Sequence, residues 1–100
     1  MSAYILYIDP VAWQETKNLP GHLRPRVRRT IDDLQNEPRP NSSKLLTYPG
    51  LDRELRRIRL DRWRIVYTID EDESTINVLA VRKRPPYDYG DLADIIARIL

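Results

Sequence analysis

Apolar and polar residues near the start of the chain follow a pattern that predicts one strand and then one short helix. The segment from Tyr4 to Ile8 is rich in β-branched and aromatic side chains, which favour strands. Asp9-Pro10 then matches a preferred helix start, an oxygen-bearing N-cap residue followed by proline in the first turn. We expect this helix to end near Leu19-Pro20-Gly21 and to carry Trp13 into the core.

A second helix is predicted from apolar residues spaced three or four positions apart. Its apolar stripe consists of Leu23, Val27, Ile31 and Leu34. Pro25 fits this helix only in the first turn, where its missing N–H costs nothing. Glu37-Pro38 should end the helix, because the residue before a proline avoids the α region. Residues 39–50 contain two prolines and a Pro49-Gly50 turn, so we expect mostly loop there.

The second half of the chain predicts three strands that form an antiparallel meander. The strands are residues 55–60, 63–69 and 75–81, and residues 82–86 are expected to continue in extended form. Asp61-Arg62 should make the first tight turn, and the acidic run of residues 70–73 the second. Asp88 or Asp91 can cap a last helix. The apolar side of that helix would consist of Leu92, Ile95, Ile96 and Ile99.

The predicted order of elements is therefore β-α-α-β-β-β-α. This order favours an α+β fold in which a helical hairpin packs on a largely antiparallel β-sheet, with a C-terminal helix in addition. The chain has 100 residues, which is enough for one domain with one core, so residues 1–100 are predicted to form a single domain.

The composition of the chain indicates in which cellular compartment the protein can be expected. No apolar run approaches the 18 or so residues of a membrane span, and the first residues do not form a secretory signal. The absence of cysteine excludes a disulfide framework and a thiolate metal site. We therefore expect a cytoplasmic protein that makes no contact with a membrane.

The basic residues are mainly arginines, since only Lys17, Lys44 and Lys83 among the 17 are lysines. Arginine presents a planar fork of donors that suits phosphate, whereas lysine is a hydrated point charge. A GC-rich genome would also favour arginine codons, so composition alone does not decide between these explanations. The positions of the arginines are more informative.

Alternation along the predicted strands places several arginines on one face of the sheet. If Ile58 and Leu60 face the helices, Arg57 and Arg59 share the opposite, open face. Arg64 can then lie beside Arg59 across a short hairpin. Like charges directly opposite each other on paired strands are unfavourable unless an anion lies between them. The pattern favours a phosphate-binding face over the alternative of a solvated basic strand.

The run Leu55-Arg56-Arg57-Ile58-Arg59-Leu60-Asp61-Arg62-Trp63-Arg64-Ile65-Val66-Tyr67 resembles the core of the RelE/ParE superfamily of bacterial toxins. The common pattern is a basic strand, a short turn, an aromatic-Arg pair and then Ile/Leu-Val-Tyr. Further points of similarity occur on both sides of this run, in the order in which they occur in the family. They are Leu19-Pro20, Leu34, Glu37-Pro38-Arg39-Pro40, Lys44-Leu45, and Val81-Arg82-Lys83-Arg84 followed by tyrosines.

This resemblance implies the toxin of a type II toxin–antitoxin pair, and specifically a ribosome-dependent mRNA endoribonuclease that inhibits translation. The expected partners are a cognate antitoxin, the ribosome and mRNA, and neither a metal nor another cofactor is expected. The implied catalytic residues are Arg59, Arg64, Arg84, Tyr87 and Tyr89. The implied RNA-binding residues are Arg56, Arg57, Arg62, Arg82 and Lys83.

One position departs from the RelE pattern, because Arg59 stands where those enzymes have a lysine that can act as the base. A guanidinium stays protonated near neutral pH and cannot take that role. Either a tyrosine or a carboxylate is then the base, or catalysis depends mainly on charge stabilisation and positioning by the ribosome.

Two other functions stay open. The first is a ParE-like inhibitor of DNA gyrase, and the second is a catalytically inactive module that binds nucleic acid or antitoxin. ParE-type members generally lack the full basic set, whereas Arg57, Arg59, Arg64 and Arg84 are all present here. The sequence therefore favours the nuclease.

Overall fold

The fold combines one mixed sheet with helices on its surface. The computed structural model describes residues 4–83 together with residues 94, 95 and 97. The elements are β1 (Ile5–Ile8), α1 (Pro10–Lys17), α2 (Arg24–Asp33), β2 (Ser43–Leu46), β3 (Glu54–Leu60), β4 (Trp63–Asp70) and β5 (Thr75–Lys83). None of the helices among these residues is long and apolar enough to cross a membrane.

The five strands lie in the order β1-β5-β4-β3-β2. Strand β1 runs parallel to β5, and the other three neighbouring pairs are antiparallel. The predicted α+β fold with a largely antiparallel sheet is therefore confirmed, and so is the meander of β3, β4 and β5.

Strand β2 was not predicted, because residues 39–50 were expected to be mostly loop. It is an edge strand that pairs with β3, with Ser43 opposite Ile58 and Leu46 opposite Leu55. Its sequence shows no inward–outward alternation, and Leu45 is 59% exposed. Backbone hydrogen bonds to β3 hold an edge strand of this kind, so hydrophobic periodicity does not reveal it.

Both helices begin as their sequences predict. The Asp9 carboxylate caps α1 by accepting a hydrogen bond from the backbone N–H of Val11 at 3.0 Å, and Pro10 lies in the first turn. Pro25 lies in the first turn of α2. The four predicted stripe residues of the second helix, Leu23, Val27, Ile31 and Leu34, are all buried.

Trp13 is not a core residue, which corrects the prediction for the first helix. Helix α1 buries Ala12 and Thr16, and Trp13 lies off that face with 43% of its surface exposed. The guanidinium carbon of Arg28 lies 5.7 Å from its ring centroid, so a cation–π contact joins the two helices.

Apolar side chains are buried on both faces of the sheet. The larger cluster lies between the sheet and the two helices and includes Ile58, Ile65 and Tyr67. A smaller cluster on the opposite face consists of Leu55, Val66, Leu79, Ala80 and Ile95.

The smaller cluster bears on the predicted C-terminal helix. Ile95 is 1% exposed, and Asp94, Ile95 and Ala97 are helical, as the sequence predicted for this part of the chain. The face opposite α1 and α2 is therefore partly covered. Four further residues of that prediction lie outside the described residues, namely Asp91, Leu92, Ile96 and Ile99; the alternative cap, Asp88, also lies outside them.

A network of ion pairs ties the segment after α2 to the sheet. Arg39 donates to Glu54 through Nε and Nη2, and its Nη2 also donates to Glu71 at 2.8 Å. Arg56 donates to Glu54 at 2.6 Å, and the Tyr4 hydroxyl donates to Glu71 at 2.7 Å.

These contacts shift the pKa values of both carboxyl groups. Burial by itself would raise the pKa of Glu54, but hydrogen bonds from Arg39 and Arg56 outweigh it and lower that pKa. The pKa of Glu71 is lowered by its hydrogen bond from Arg39 and then by that from Tyr4. A carboxyl group with a lowered pKa stabilises the fold above its unfolded-state value of about 4.3, and this contribution is lost as the pH falls through the folded-state value.

We predict that Arg39→Met lowers the free energy of unfolding by about 0.5–1 kcal/mol at pH 7, since the Arg39–Glu54 pair is only partly shielded from water. The loss should shrink below about pH 4.3, because protonation removes the same ion pairs in the parent chain. Urea unfolding at a series of pH values measures both effects, with Arg29→Met as the matched exposed control. A loss that is equal at pH 7 and pH 3 would contradict this account.

Candidate functional site

A β-bulge in β5 sets which of its residues face the helices. Val66 pairs with Ala80 and Tyr67 pairs with Val78, so Leu79 is an extra residue on β5. Leu79 and Ala80 consequently both pack in the cluster on the face opposite the helices. The alternation of β5 shifts by one residue beyond this point, and Arg82 therefore lies on that same face.

Three arginines stand side by side on adjacent strands of this face. Arg59 of β3 is the Cα partner of Arg64 of β4, and Arg64 is the Cα partner of Arg82 of β5. We call these three residues the arginine row. The predicted neighbourhood of Arg59 and Arg64 is confirmed. The register adds Arg82, which the family resemblance had implied as an RNA-binding residue and the strand pattern had placed only in an extended segment.

The members of the arginine row differ in exposure. Arg59 is exposed, whereas Arg64 is 4% exposed and donates from Nη1 to the Trp63 carbonyl at 3.2 Å. The expectation that Arg64 stands on an open face is therefore wrong, because its guanidinium folds back along its own strand. A buried guanidinium of this kind is rigidly placed, and its removal would leave a cavity as well as remove a charge.

Arg82 is held by an acid that the sequence analysis did not single out. Its Nε donates to Oε2 of Glu15 at 2.8 Å, and its side chain is only 13% exposed. The other Glu15 oxygen accepts from the backbone N–H of Val81 at 3.0 Å. Strand β1 pairs with β5 only as far as Val78, so Glu15 supplies an acceptor at the edge of β5 that β1 does not reach.

A sequence signal for Glu15 does exist. Residues three and four positions apart share a face of a helix, so Glu15 lies on the same stripe as Ala12 and Thr16. Both of these neighbours are buried. An acid on the buried stripe of a short helix implies a basic or N–H partner, although it does not say which one.

The remaining RNA-binding candidates in the sheet lie on different faces. Arg57 shares the face of the arginine row, with Lys44 of β2 as its Cα partner on one side. Arg56 lies on the helix side, where it donates to Glu54 at 2.6 Å and to the Ser43 hydroxyl at 3.0 Å. The structure thus does not bring Arg56 together with the arginine row.

Arg62 and Lys83 meet at a cleft beside the β3–β4 turn. The cleft has a volume of about 400 Å³ and is lined by Pro20, His22, Leu23, Asp61, Arg62, Trp63 and Lys83. Trp63 packs against the helix-side core. The predicted catalytic residues Arg84, Tyr87 and Tyr89 lie outside the described residues.

The arginines at this end of the sheet carry groups that are able to bind an anion. Guanidinium groups bind phosphate oxygens through charge-assisted hydrogen bonds and can stabilise negative charge that develops during a reaction. Within the described part of the chain, no three histidine or acidic side chains come together as metal ligands.

Comparison with protein families gives one match. The model of the family described as ParE toxin of type II toxin–antitoxin system, parDE, matches residues 6–85. No curated protein matches the chain in sequence.

Solved structures with the same fold include RelE toxins. RelE in the archaeal RelE–RelB complex from Pyrococcus horikoshii OT3 is similar with 25% identity and a TM-score of 0.74, covering 85% of this chain and 99% of that one. The isolated Escherichia coli RelE toxin is 24% identical with a TM-score of 0.68, covering 98% of this chain and 100% of that one. The second likeness shows the fold alone.

We predict that Glu15→Ala lowers the free energy of unfolding by about 2 kcal/mol, since a charged hydrogen-bond acceptor to a backbone N–H is lost. Glu15→Gln should lose less, because the amide oxygen can still accept from Val81 although the ion pair with Arg82 is lost. Urea unfolding measures both, and Gln14→Ala on the exposed side of α1 is the matched control. Equal losses for the alanine and glutamine variants would show that the hydrogen bond to Val81 is not what stabilises this edge.

Proposed function

This chain belongs to the ParE toxin family, within the RelE/ParE superfamily, and is the toxin of a type II toxin–antitoxin system; from this premise we propose that it inhibits translation by cutting mRNA on the ribosome. The observation that carries the proposal is the arginine row. The enzyme class is a ribosome-dependent endoribonuclease, and its substrate is mRNA.

The arginine row supports a phosphate ligand through its register. Arg59, Arg64 and Arg82 are in register on three neighbouring strands, where like charges oppose each other. The Glu15 carboxylate offsets part of this repulsion at Arg82. An RNA phosphate placed against Arg59, the exposed member of the row, would offset more of it. Arg57 on the same face adds a fourth positive charge.

The proposed reaction is attack of a ribose 2′-hydroxyl on the adjacent phosphate. It forms a bond from the 2′-oxygen to phosphorus and breaks the bond from phosphorus to the 5′-oxygen of the next nucleotide, which leaves as a 5′-hydroxyl once it is protonated. Negative charge grows on the phosphoryl oxygens in the transition state, and guanidinium donors stabilise it most when they are already in position. The buried Arg64 and the Glu15-bound Arg82 are positioned in this way. We infer that Arg59, the exposed member, reaches the substrate most directly.

Proton transfer is a separate requirement of this reaction. Arg59 cannot act as the base near neutral pH, so charge stabilisation and substrate positioning carry most of the rate in our proposal. The aromatic side chain predicted to lie near the cut is still that of Tyr87 or Tyr89. Arg84 is still predicted to make a further phosphate contact.

The proposed protein partner is a cognate antitoxin. The archaeal relative was solved as a complex of RelE with RelB. We propose that an antitoxin also binds this chain and that its binding blocks access of mRNA to the arginine row.

Gyrase inhibition is a second candidate, and the match to the ParE toxin family model favours it. Gyrase inhibition requires no cleavage of RNA, so the arginine row would then have no transition state to stabilise. Assays of mRNA cleavage and of DNA supercoiling therefore separate the two functions.

We predict that Arg59→Ala slows mRNA cleavage by about 10²–10³-fold, the usual effect of removing one donor to a transition-state charge. Because Arg59 is exposed, the variant should stay folded. Primer extension on mRNA from a cell-free translation reaction measures the cleavage rate. The matched control is Arg29→Ala, which removes an exposed arginine from α2 and should cleave at the parent rate.

Undiminished cleavage by folded Arg59→Ala would show that the arginine row is not the reactive site. Inhibition of supercoiling by the parent protein without any mRNA cleavage would overturn the nuclease proposal and establish the gyrase function instead.

We also predict that single-stranded RNA binds with a strong dependence on salt. If three arginines each neutralise one phosphate, the slope of log K against log salt should be about −2, at about −0.7 per contact. Fluorescence anisotropy measures this slope with an oligonucleotide whose 2′-hydroxyls are blocked. Arg59→Ala should reduce the slope by about one contact, and a flat response would exclude a phosphate-binding face.

A further inference from the structure

We propose that the cleft beside the β3–β4 turn is a second RNA subsite, which holds one nucleotide with its base against Trp63 and its phosphate between Arg62 and Lys83. The inference rests on the proposed function and extends it, because it assigns a substrate contact on the other face of the sheet. The single-stranded RNA that reaches the arginine row would continue around the end of β4 and β5 into this cleft.

The register of the sheet places the two sites next to each other. Trp63 and Lys83 are Cα partners at the ends of β4 and β5, and the neighbouring pair is Arg64 with Arg82. Successive residues of a strand rise by about 3.4 Å and point to opposite faces. The cleft and the arginine row therefore lie back to back at one end of the sheet.

The cleft offers positive charge that the carboxylates of the described residues do not neutralise. Arg62 and Lys83 are both exposed, and no ion pair joins either of them to an acid within the described part of the chain. Among the described residues that line the cleft, the acid is Asp61, and it is bound to Arg26 at 2.8 Å. An anion that enters the cleft therefore meets two available cations.

The remaining walls of the cleft suit a flat base. Trp63 is half-buried, and Pro20 and Leu23 contribute apolar surface beside it. A volume of about 400 Å³ lies in the range of small-ligand sites. Base stacking on an aromatic side chain is tolerant of sequence and is a general mode of binding single strands. An acidic peptide would satisfy the cations but would leave the indole without a stacking partner.

His22 completes the polar side of the cleft. His22 is distant from Arg62 and Lys83 along the chain, but the connection between α1 and α2 brings it to the same end of the sheet. Its imidazole has one donor and one acceptor when neutral, and both suit the edge of a base.

The test uses Trp63 as its own reporter. In the full-length Trp13→Phe chain, Trp63 is the remaining tryptophan of the two, and Trp13 is exposed and outside the cleft. The probe is a short oligoadenylate with blocked 2′-hydroxyls. We expect it to quench Trp63 fluorescence on binding, and we expect Lys83→Ala to weaken the quenching affinity about tenfold. Lys17→Ala, an exposed lysine on α1, should leave the affinity unchanged.

The outcomes separate this inference from the proposed function. RNA binding without quenching would overturn the cleft subsite, and so would quenching that Lys83→Ala does not affect. Neither result would contradict the proposed cleavage of mRNA. Quenching by a polyglutamate peptide at the same affinity would show that the site accepts acidic protein segments rather than RNA. Quenching that survives in Arg59→Ala would show that the cleft binds RNA independently of the arginine row.

Discussion

Three arginines come into register on one face of this sheet because β5 carries one residue more than β4 in the middle of their pairing. The extra residue, Leu79, shifts the alternation of β5, so that Arg82 faces away from the helices beside Arg64. Without the bulge, Arg82 would point toward α1 and α2. The composition of the proposed site thus depends on one irregularity in the backbone.

The other contacts of the site involve the positive charges that this register brings together. Glu15 provides a counter-charge at Arg82 and at the same time satisfies the backbone at the edge of β5. Arg64 is buried and fixed along its strand, and Arg59 is exposed. Burying a charge is costly. In the proposed reaction, a buried Arg64 would supply a donor that needs little reorganisation. The exposed and the buried members of the row therefore have different proposed roles.

The other arginines show that basic residues in one strand need not share a function. Arg56 and Arg39 are engaged with Glu54, and these contacts fasten the segment after α2 to the sheet. Arg57 and Arg59, one and three residues further along, lie on the other face. Alternation thus places neighbouring arginines on two faces of the sheet, although the family resemblance had implied the same RNA-binding role for Arg56 and Arg57.

Sequence patterns predicted most of the fold, and their failures have physical causes. The helix starts, the stripe of α2 and the pairing of Arg59 with Arg64 follow from local rules that hold along one element. Strand β2 was missed because an edge strand held by its neighbour needs no periodicity. Trp13, Arg82 and Glu15 depended on the angle of α1 and on the bulge, which are set by packing between distant segments. The family resemblance, by contrast, was confirmed over most of the chain.

The most direct test of the central claim observes the guanidinium groups themselves. NMR spectra of the arginine Nε–H groups, recorded as a short RNA with blocked 2′-hydroxyls is added, show which side chains bind phosphate. We expect the largest shift at Arg59, the exposed member of the row, smaller shifts at Arg64 and Arg82, and none at Arg29. Shifts confined to arginines outside the row, or no shifts at RNA concentrations that saturate binding, would contradict it.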